Sequence, residues 1–310
     1  MAVDGLVVRA VVHELQVCAG GRINKIYQPT EHDVVMHIRA RGQNVRLLLS
    51  ANPTYPRVHL TNRTFQNPTE APMFCMLLRK HCEGAVIDTV EQVGNDRIIR
   101  LNVRQRDELG DLSGKALIVE IMGRHSNIIL LDASSGAIID GIRHVTPAIS
   151  SYRVVMPGHV YTAPPDQGKA DPLCATKRQF AALMEGDAAD SPDVASVASA
   201  AAEWLVRRFS GLSPLVAREI VHRSGIAQQG AAEGTGERNA AEPTEALWNA
   251  FASVMEPVAR HEYRPAVVTA PGGKNYFSVV ELTHLRGDSI RFPSVSECLE
   301  PYFGNKAEQD

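Results

Sequence analysis

No stretch of this chain approaches 18 consecutive apolar residues, so the sequence offers no candidate for a membrane-spanning helix. The N-terminus lacks a basic leader followed by an apolar run. Acidic Asp4 stands where such a leader would carry positive charge, and the expectation is a chain without a secretory signal. Cysteine is scarce: Cys18, Cys75, Cys82, Cys174 and Cys298 lie far apart, without the close pairs that thiolate zinc sites use. They read as buried free thiols in a reducing compartment. His13, His32, His37, His59, His81 and His144 are scattered, with no His-x-x-x-His pair and no glutamate beside two histidines, so no metal is expected. A P-loop and a GxGxxG fingerprint are also missing, so no cofactor is expected. The serine of Gly-Arg-His-Ser-Asn does not sit in a GxSxG elbow.

What is present suffices for one large core or, more naturally, two domains: 310 residues, 44% of them hydrophobic. Net charge is -3, which alone argues against nucleic acid, but the charge is uneven. Residues 1–160 carry 18 Lys or Arg against 15 Asp or Glu, and residues 161–310 carry 14 against 20. A basic bias in one half is compatible with a local phosphate-binding face, and equally with an evenly solvated surface.

Residues 3–18 read as a helix, with Val3, Leu6, Val7, Ala10, Val11, Leu15 and Cys18 on one face and Gly20-Gly21 at its end. Alternation then predicts strands at 33–40 and 44–50 joined at Gly42-Gln43. Prolines make 52–63 a crossing loop or edge segment, and Pro72 opens a short helix over 73–81. Further strands are expected at 85–93, 97–104, 115–122 and 127–132, with a less regular one at 136–145. The class is α+β: a mostly β domain over 1–172, built as a sandwich or related layered sheet, then a helical domain over 173–260 and a return segment over 261–310. Residues 196–209 are the clearest helix of the second part, 227–244 reads as a flexible surface loop, 275–280 as a strand, and 294–303 as a last short helix.

Four polar stretches stand out. Asp96-Arg97 follows a Gly94-Asn95 turn at the mouth of a strand, with Arg100, Arg104 and Arg106 beyond it. An arginine steadied by a neighbouring carboxylate suits phosphate or a base edge, and the same pair can simply close a turn. Gly123, Arg124, His125, Ser126 and Asn127 join two apolar strands and offer donors in a row. They could seat a phosphate or a flipped-out base, or stabilise their own turn. Arg22, Asn24 and Lys25 with Tyr27 mix basic groups with one aromatic, which suits RNA and equally a plain surface strand. Residues 209–226 pass from a helix end through a glycine turn to Pro214, either a helix-hairpin-helix turn that presents amides to phosphate or an ordinary helix corner.

Taken together, the stretches MAVDG (1–5), GGRINKIYQP (20–29), LLLSANPTYPRVHLT (47–61), NPTEAPMFCMLLRKH (67–81), NDRIIRLNV (95–103), LIVEIMGRHSNIILLD (117–132), IIDGIRHV (138–145) and YRVVMPGHVYTAPP (152–165) resemble the N-terminal portion of the NFACT family. These are bacterial ribosome quality-control proteins of the RqcH type, also called fibronectin-binding protein A-like. The resemblance is looser over 175–260 and returns at FPSVSECLEPYF (292–303), where the family's long coiled coil is expected to begin. It implies a cytoplasmic, ribosome-associated binding protein without enzymatic activity. Such a protein engages large ribosomal subunits obstructed by peptidyl-tRNA and recruits alanyl-tRNA, and alanines are added to the stalled chain without mRNA. The resemblance places tRNA contacts on Asp96, Arg97, Gly123, Arg124, His125, Ser126 and Asn127, with additional RNA contacts at Arg22, Asn24, Lys25 and Arg100.

The family's fold is similar to the N-terminal and helical parts of formamidopyrimidine-DNA glycosylases, which raises a DNA-binding alternative. Those enzymes use an N-terminal proline amine, whereas this sequence opens Met-Ala-Val-Asp, so no glycosylase chemistry is expected. The remaining alternative is a surface protein that binds fibronectin.

Overall fold

Asp4 sets the start of the first helix, α1 (Gly5–Glu14): its carboxylate accepts the Val7 amide at 2.9 Å. The group is buried, and burial pushes its pKa up. A 3-10 turn (Leu15–Cys18) follows, so the expected single helix over 3–18 is two elements. The computed structural model describes residues 3–190, 197–226 and 241–307.

Nine strands then form one antiparallel sheet: β1 (Arg22–Tyr27), β2 (Asp33–Ala40), β3 (Gln43–Ser50), β4 (Arg57–Leu60), β5 (Val86–Gln92), β6 (Ile98–Arg106), β7 (Leu112–Glu120), β8 (Asn127–Asp132) and β9 (Ile138–Gly141). Their order is β4-β3-β2-β1-β5-β6-β7-β8-β9. Ala40 pairs with Gln43, so the first hairpin turns on Arg41-Gly42, one residue earlier than expected, with φ of 50° and 74°. Five successive residues of β8 are buried, which requires cover on both faces and explains why this strand reads as an unbroken apolar run. One of those faces packs Ile98, Ile118, Ile129, Leu131 and Ile138 against Val155.

The described chain divides into two compact units, one drawing on residues 1–10 and 166–293, the other on 11–165 and 294–310. The sheet lies in the second of these, with α2 (Met73–Cys82). Its edge strand β4 is covered by a late helix, α7 (Val295–Ala307): Ser296 Oγ accepts the Leu60 amide at 3.0 Å, and Thr61 Oγ1 donates to Glu300 at 2.5 Å. Beside this junction His59 is buried, and burial brings its pKa down to about 4.

The other unit contains α3 (Lys177–Ala188), α4 (Ala198–Arg208), α5 (Pro214–Ser224) and α6 (Ala241–Ala259). Phe180 is its hub, with ring centroids of Trp204, Phe209, Trp248 and Phe251 at 5.1, 5.7, 5.5 and 5.2 Å. Asp187 accepts from Trp204 Nε1 and Arg208 Nε, both at 2.6 Å. The expected flexible loop at 227–244 falls outside the described residues up to 240, and 241–244 belong to α6. In the return segment the strand expected at 275–280 is present as β11 (Asn275–Ser278), and it joins β10 (Ala266–Thr269) and β12 (Asp288–Arg291) in a second antiparallel sheet in the order β11-β10-β12. Four-residue strands give little periodic signal, and every residue of β12 is exposed, so no alternation marks it.

Two outcomes are expected. Phe180→Ala should cost about 3–5 kcal/mol in chemical denaturation, because it empties the centre of the ring cluster. His59 should make stability depend on acidity. The unfolded imidazole titrates near 6.5 and the folded one near 4, so between these values the unfolded chain binds more protons. Melting temperature should therefore be full above about pH 6.5 and fall as pH drops toward 4. His59→Gln should flatten that slope in thermal scans.

Candidate nucleic-acid interface

The β5–β6 turn is tight: Val93 N donates to Ile98 O at 3.0 Å, Asp96 N donates to Val93 O at 3.0 Å, and Gly94 has a φ of 57°. Gln92 Nε2 donates to Asp96 O at 2.9 Å. Asp96 is exposed and Arg97 half-buried at the mouth of β6. The register of β6 on β7 pairs Ile98 with Glu120, and that of β7 on β8 pairs Glu120 with Asn127. Arg97 O accepts the Ile121 amide at 2.8 Å. The antiparallel ladder thus brings the Asp96-Arg97 turn against the 121–126 connection, although about 25 residues separate them in sequence.

That connection is a 3-10 turn (Gly123–His125) in which Arg124 and His125 are exposed. Ser126 and Asn127 are buried and act on the loop itself. Ser126 Oγ donates to Gly123 O at 2.6 Å and accepts the Met122 amide at 2.9 Å. Asn127 clasps the chain at Arg143: its Nδ2 donates to Arg143 O at 2.9 Å, and its Oδ1 accepts Arg143 N at 3.1 Å. Arg143 Nη1 in turn donates to Arg124 O. Neither Arg124 nor Arg143 has a carboxylate partner among the described residues.

A buried ion pair secures the floor. Glu120 is fully buried and accepts from Arg153 at 2.8 and 2.5 Å and from Tyr161 OH at 2.8 Å. Burial works against the Arg153 charge, but the Glu120 carboxylate outweighs it and raises the pKa; burial and the same carboxylate push the Tyr161 phenol up. All acceptor oxygens of Glu120 are therefore engaged, as a carboxylate in such a place requires.

The other candidate residues fall elsewhere. Arg100 is half-buried on β6 and donates to Asn102 at 2.8 Å, while Arg104 is paired with Asp88 at 2.5 Å. Arg22, Asn24 and Lys25 are exposed on β1, but Arg22 is level with Val86, at the far end of β5 from the turn. Six residues of strand place it roughly 20 Å along the ladder from the Asp96-Arg97 turn, so the structure does not bring this group into the same site. The α4–α5 hairpin is also spoken for. Its Ser213 amide and hydroxyl are hydrogen-bonded to the buried Asp4 carboxyl group. Arg143 and Arg153 are not singled out by the sequence: Arg143 falls at the end of the less regular strand expected at 136–145 and Arg153 beyond it, and only the tertiary structure reveals their place.

The family model described as NFACT N-terminal and middle domains matches residues 4–310. The chain is 45% identical to the Rqc2 homolog RqcH of Bacillus subtilis, across 100% of this chain and 50% of that protein. Against the Rqc2 homolog RqcH of Streptococcus pneumoniae it is 33% identical, across 100% and 49%. The chain thus spans about half the length of the curated relatives it matches. Among solved structures, one described as the fibrinogen binding protein from Staphylococcus aureus superposes with a TM-score of 0.78 at 33% identity, covering 98% of this chain and 99% of that one. The N-terminal part of the fibronectin/fibrinogen-binding protein from Streptococcus suis superposes with a TM-score of 0.76 at 31% identity, covering 97% and 99%.

Removing one partner of the buried pair should be far worse than trimming its periphery. Glu120→Ala strands a buried guanidinium and should cost about 3–5 kcal/mol, whereas Tyr161→Phe removes one hydrogen bond to a charged group and should cost about 1.5–3. Urea denaturation of both variants checks the order.

Proposed function

The chain belongs to the NFACT family, and from that membership we propose that it serves ribosome-associated quality control as an RNA-binding protein and not as an enzyme. It acts in the cytoplasm on large ribosomal subunits obstructed by peptidyl-tRNA. There it recruits alanyl-tRNA for alanine tailing of the stalled chain without mRNA. Relatives described as Rqc2 homologs, and one as a ribosome quality control complex subunit, support this reading. Peptide-bond chemistry stays with the ribosome. The protein contributes position, which raises the effective concentration of one reactant near another.

The observation that carries the reading is the junction of two donor-rich turns at one end of the sheet. Asp96-Arg97 meets the Arg124-His125 turn, with Arg143 beside it, and two of these cations have no carboxylate among the described residues. A folded RNA offers phosphates and base edges to such a surface. In this reading Ser126 and Asn127 serve the site by holding the turn, and Gly123 by permitting its backbone. A second reading, a surface protein that binds fibrinogen or fibronectin, is favoured by the descriptions of the two solved structures.

Purified chain should shift alanine tRNA in a native gel. Arg97→Ala should weaken the shift about 10- to 100-fold, the range of a lost hydrogen bond to a charged group. Arg104→Ala, on the arginine already paired with Asp88, should not. Equal binding by wild type and Arg97→Ala would remove Arg97 from the site, and binding to fibronectin without binding to tRNA would favour the second reading.

A further inference from the structure

The register of the first three strands sorts their basic side chains onto one face. Residues paired across an antiparallel ladder point to the same side. Arg22 pairs with Arg39, and Arg39 with Asn44; Lys25 pairs with His37, and His37 with Arg46. The pairing of β1 with β2 slips between Ile23 and Lys25, so Asn24 is an extra residue. Three residues along a regular strand would leave Arg22 and Lys25 on opposite sides, and the slip puts them on the same one. Ile23, Ile26, Ile38 and Leu47 on the other side are buried, while Arg22, Lys25 and Arg39 are exposed and Arg46 is half-buried. Strands about 4.8 Å apart, with two residues of rise between the rows, hold these four cations within about 10 by 7 Å of sheet.

Their hydrogen bonds leave the charge uncancelled. Arg22 donates to Gly84 O at 2.7 Å and Arg39 to Asn44 Oδ1 at 3.2 Å. Arg46 donates to Arg63 O at 2.9 Å and to Asn62 O at 3.2 Å. All of these acceptors are neutral, and none of the four cations has a carboxylate partner among the described residues. The three strands carry a single carboxylate, Asp33, at the other end of β2 and level with Arg57 through Ser50. Burial and the Arg46 charge hold the His37 imidazole below its usual pKa.

The same face lacks what an unstacked base or an apolar side chain would need. No large apolar side chain of residues 22–50 is exposed. Tyr27 is the one Tyr, Phe or Trp of these strands, and its ring is engaged: His37 meets it edge-on at 5.2 Å, and the Arg79 guanidinium lies over it at 5.6 Å. Charge without a free stacking surface fits a partner that shows its phosphates and hides its bases, as a base-paired RNA stem does.

We propose that this face of β1–β3 is a second RNA contact, separate from the two turns, which takes the backbone phosphates of a base-paired stem through Arg22, Lys25, Arg39 and Arg46. The proposal rests on the RNA-binding reading above and adds to it a sequence-blind site on another part of the sheet. Arg22 lies roughly 20 Å along the ladder from the Asp96-Arg97 turn, a distance one folded RNA spans.

The test is fluorescence anisotropy of the whole chain, across a salt series, with labelled alanine tRNA, a blunt RNA duplex and an unpaired RNA of the duplex's length. Arg22 and Arg46 also tie down backbone, so the variant is the double substitution Lys25→Gln with Arg39→Gln, which should leave the melting temperature unchanged. It should weaken binding to tRNA and duplex about 100-fold at about 0.1 M salt, about 10-fold per charge, and flatten the salt slope by about two. Lys25→Arg with Arg39→Lys keeps both charges and should bind like wild type. Arg104→Gln, on the arginine paired with Asp88, should change neither affinity nor slope. If the double glutamine variant keeps the wild-type slope while Arg97→Ala weakens tRNA binding, the second contact is overturned and the RNA reading stands. If the charge-keeping pair binds as poorly as the glutamine pair, a contact by charge is overturned. If wild type binds tRNA but not the duplex, or the glutamine pair loses the unpaired RNA and keeps the duplex, the stem is overturned as the ligand. If wild type binds none of the three RNAs, the RNA reading fails and the second contact falls with it.

Discussion

A carboxylate with no solvent access, such as Glu120, can stay ionised only if protein groups replace the water it has lost. Here Arg153 supplies two hydrogen bonds and Tyr161 a third. The consequence is geometric. Glu120 ends β7, Arg153 lies on a loop 33 residues later, and Asn127 opposite Glu120 holds Arg143. That satisfied charge ties the 146–154 loop to the sheet end, while Ser126 and Asn127 hold the 3-10 turn and Arg143. Buried pairs of this kind contribute little net stability compared with apolar packing, but they permit few alternative arrangements. A binding surface made of turns needs that restriction, because turns by themselves are the mobile part of a sheet.

The electrostatics follow the same logic of local arrangement. A net charge of -3 would discourage contact with RNA if it were spread evenly. It is not. Arg104 on β6 is neutralised by Asp88, while Arg124 and Arg143 at the sheet end have no carboxylate among the described residues. With screening over about 8 Å at physiological salt, a phosphate at this end is governed by the nearby guanidinium groups and hardly by the acidic half of the sequence. In the other unit the buried Asp4 carboxyl group takes the Ser213 amide and hydroxyl at the start of α5.

Much of the fold was legible from residue order. Alternation located β2, β3, β5, β6 and β8 to within two residues, whereas β7 starts three residues earlier than expected and β9 ends four earlier. β4 lies in a stretch read as a crossing loop or edge segment, and β1 in one left open between an RNA contact and a surface strand. Helices α3 to α5 were readable from composition, and Pro214 marked the start of α5. Of the small sheet over 266–291 only β11 was legible, as the strand expected at 275–280; β10 has four residues and β12 is exposed throughout, so neither carries a period. Within the site, the two turns were recognisable as donor-rich stretches. Their partnership was not, nor was the division of labour in which Arg124 and His125 face solvent while Ser126 and Asn127 are buried.

Residue order by itself thus determined which segments extend, which coil, where the chain turns, and that a glycine-led run of donors stands at one of those turns. These are short-range matters, governed by side-chain period and by the φ each residue tolerates. The register of nine strands decided the rest. It set Arg97 beside Ile121, placed Arg22 at the far end of β5, and delivered Arg143 and Arg153 to a surface no local pattern announced. Proximity across a sheet depends on pairing between residues distant in sequence, and no local propensity encodes it.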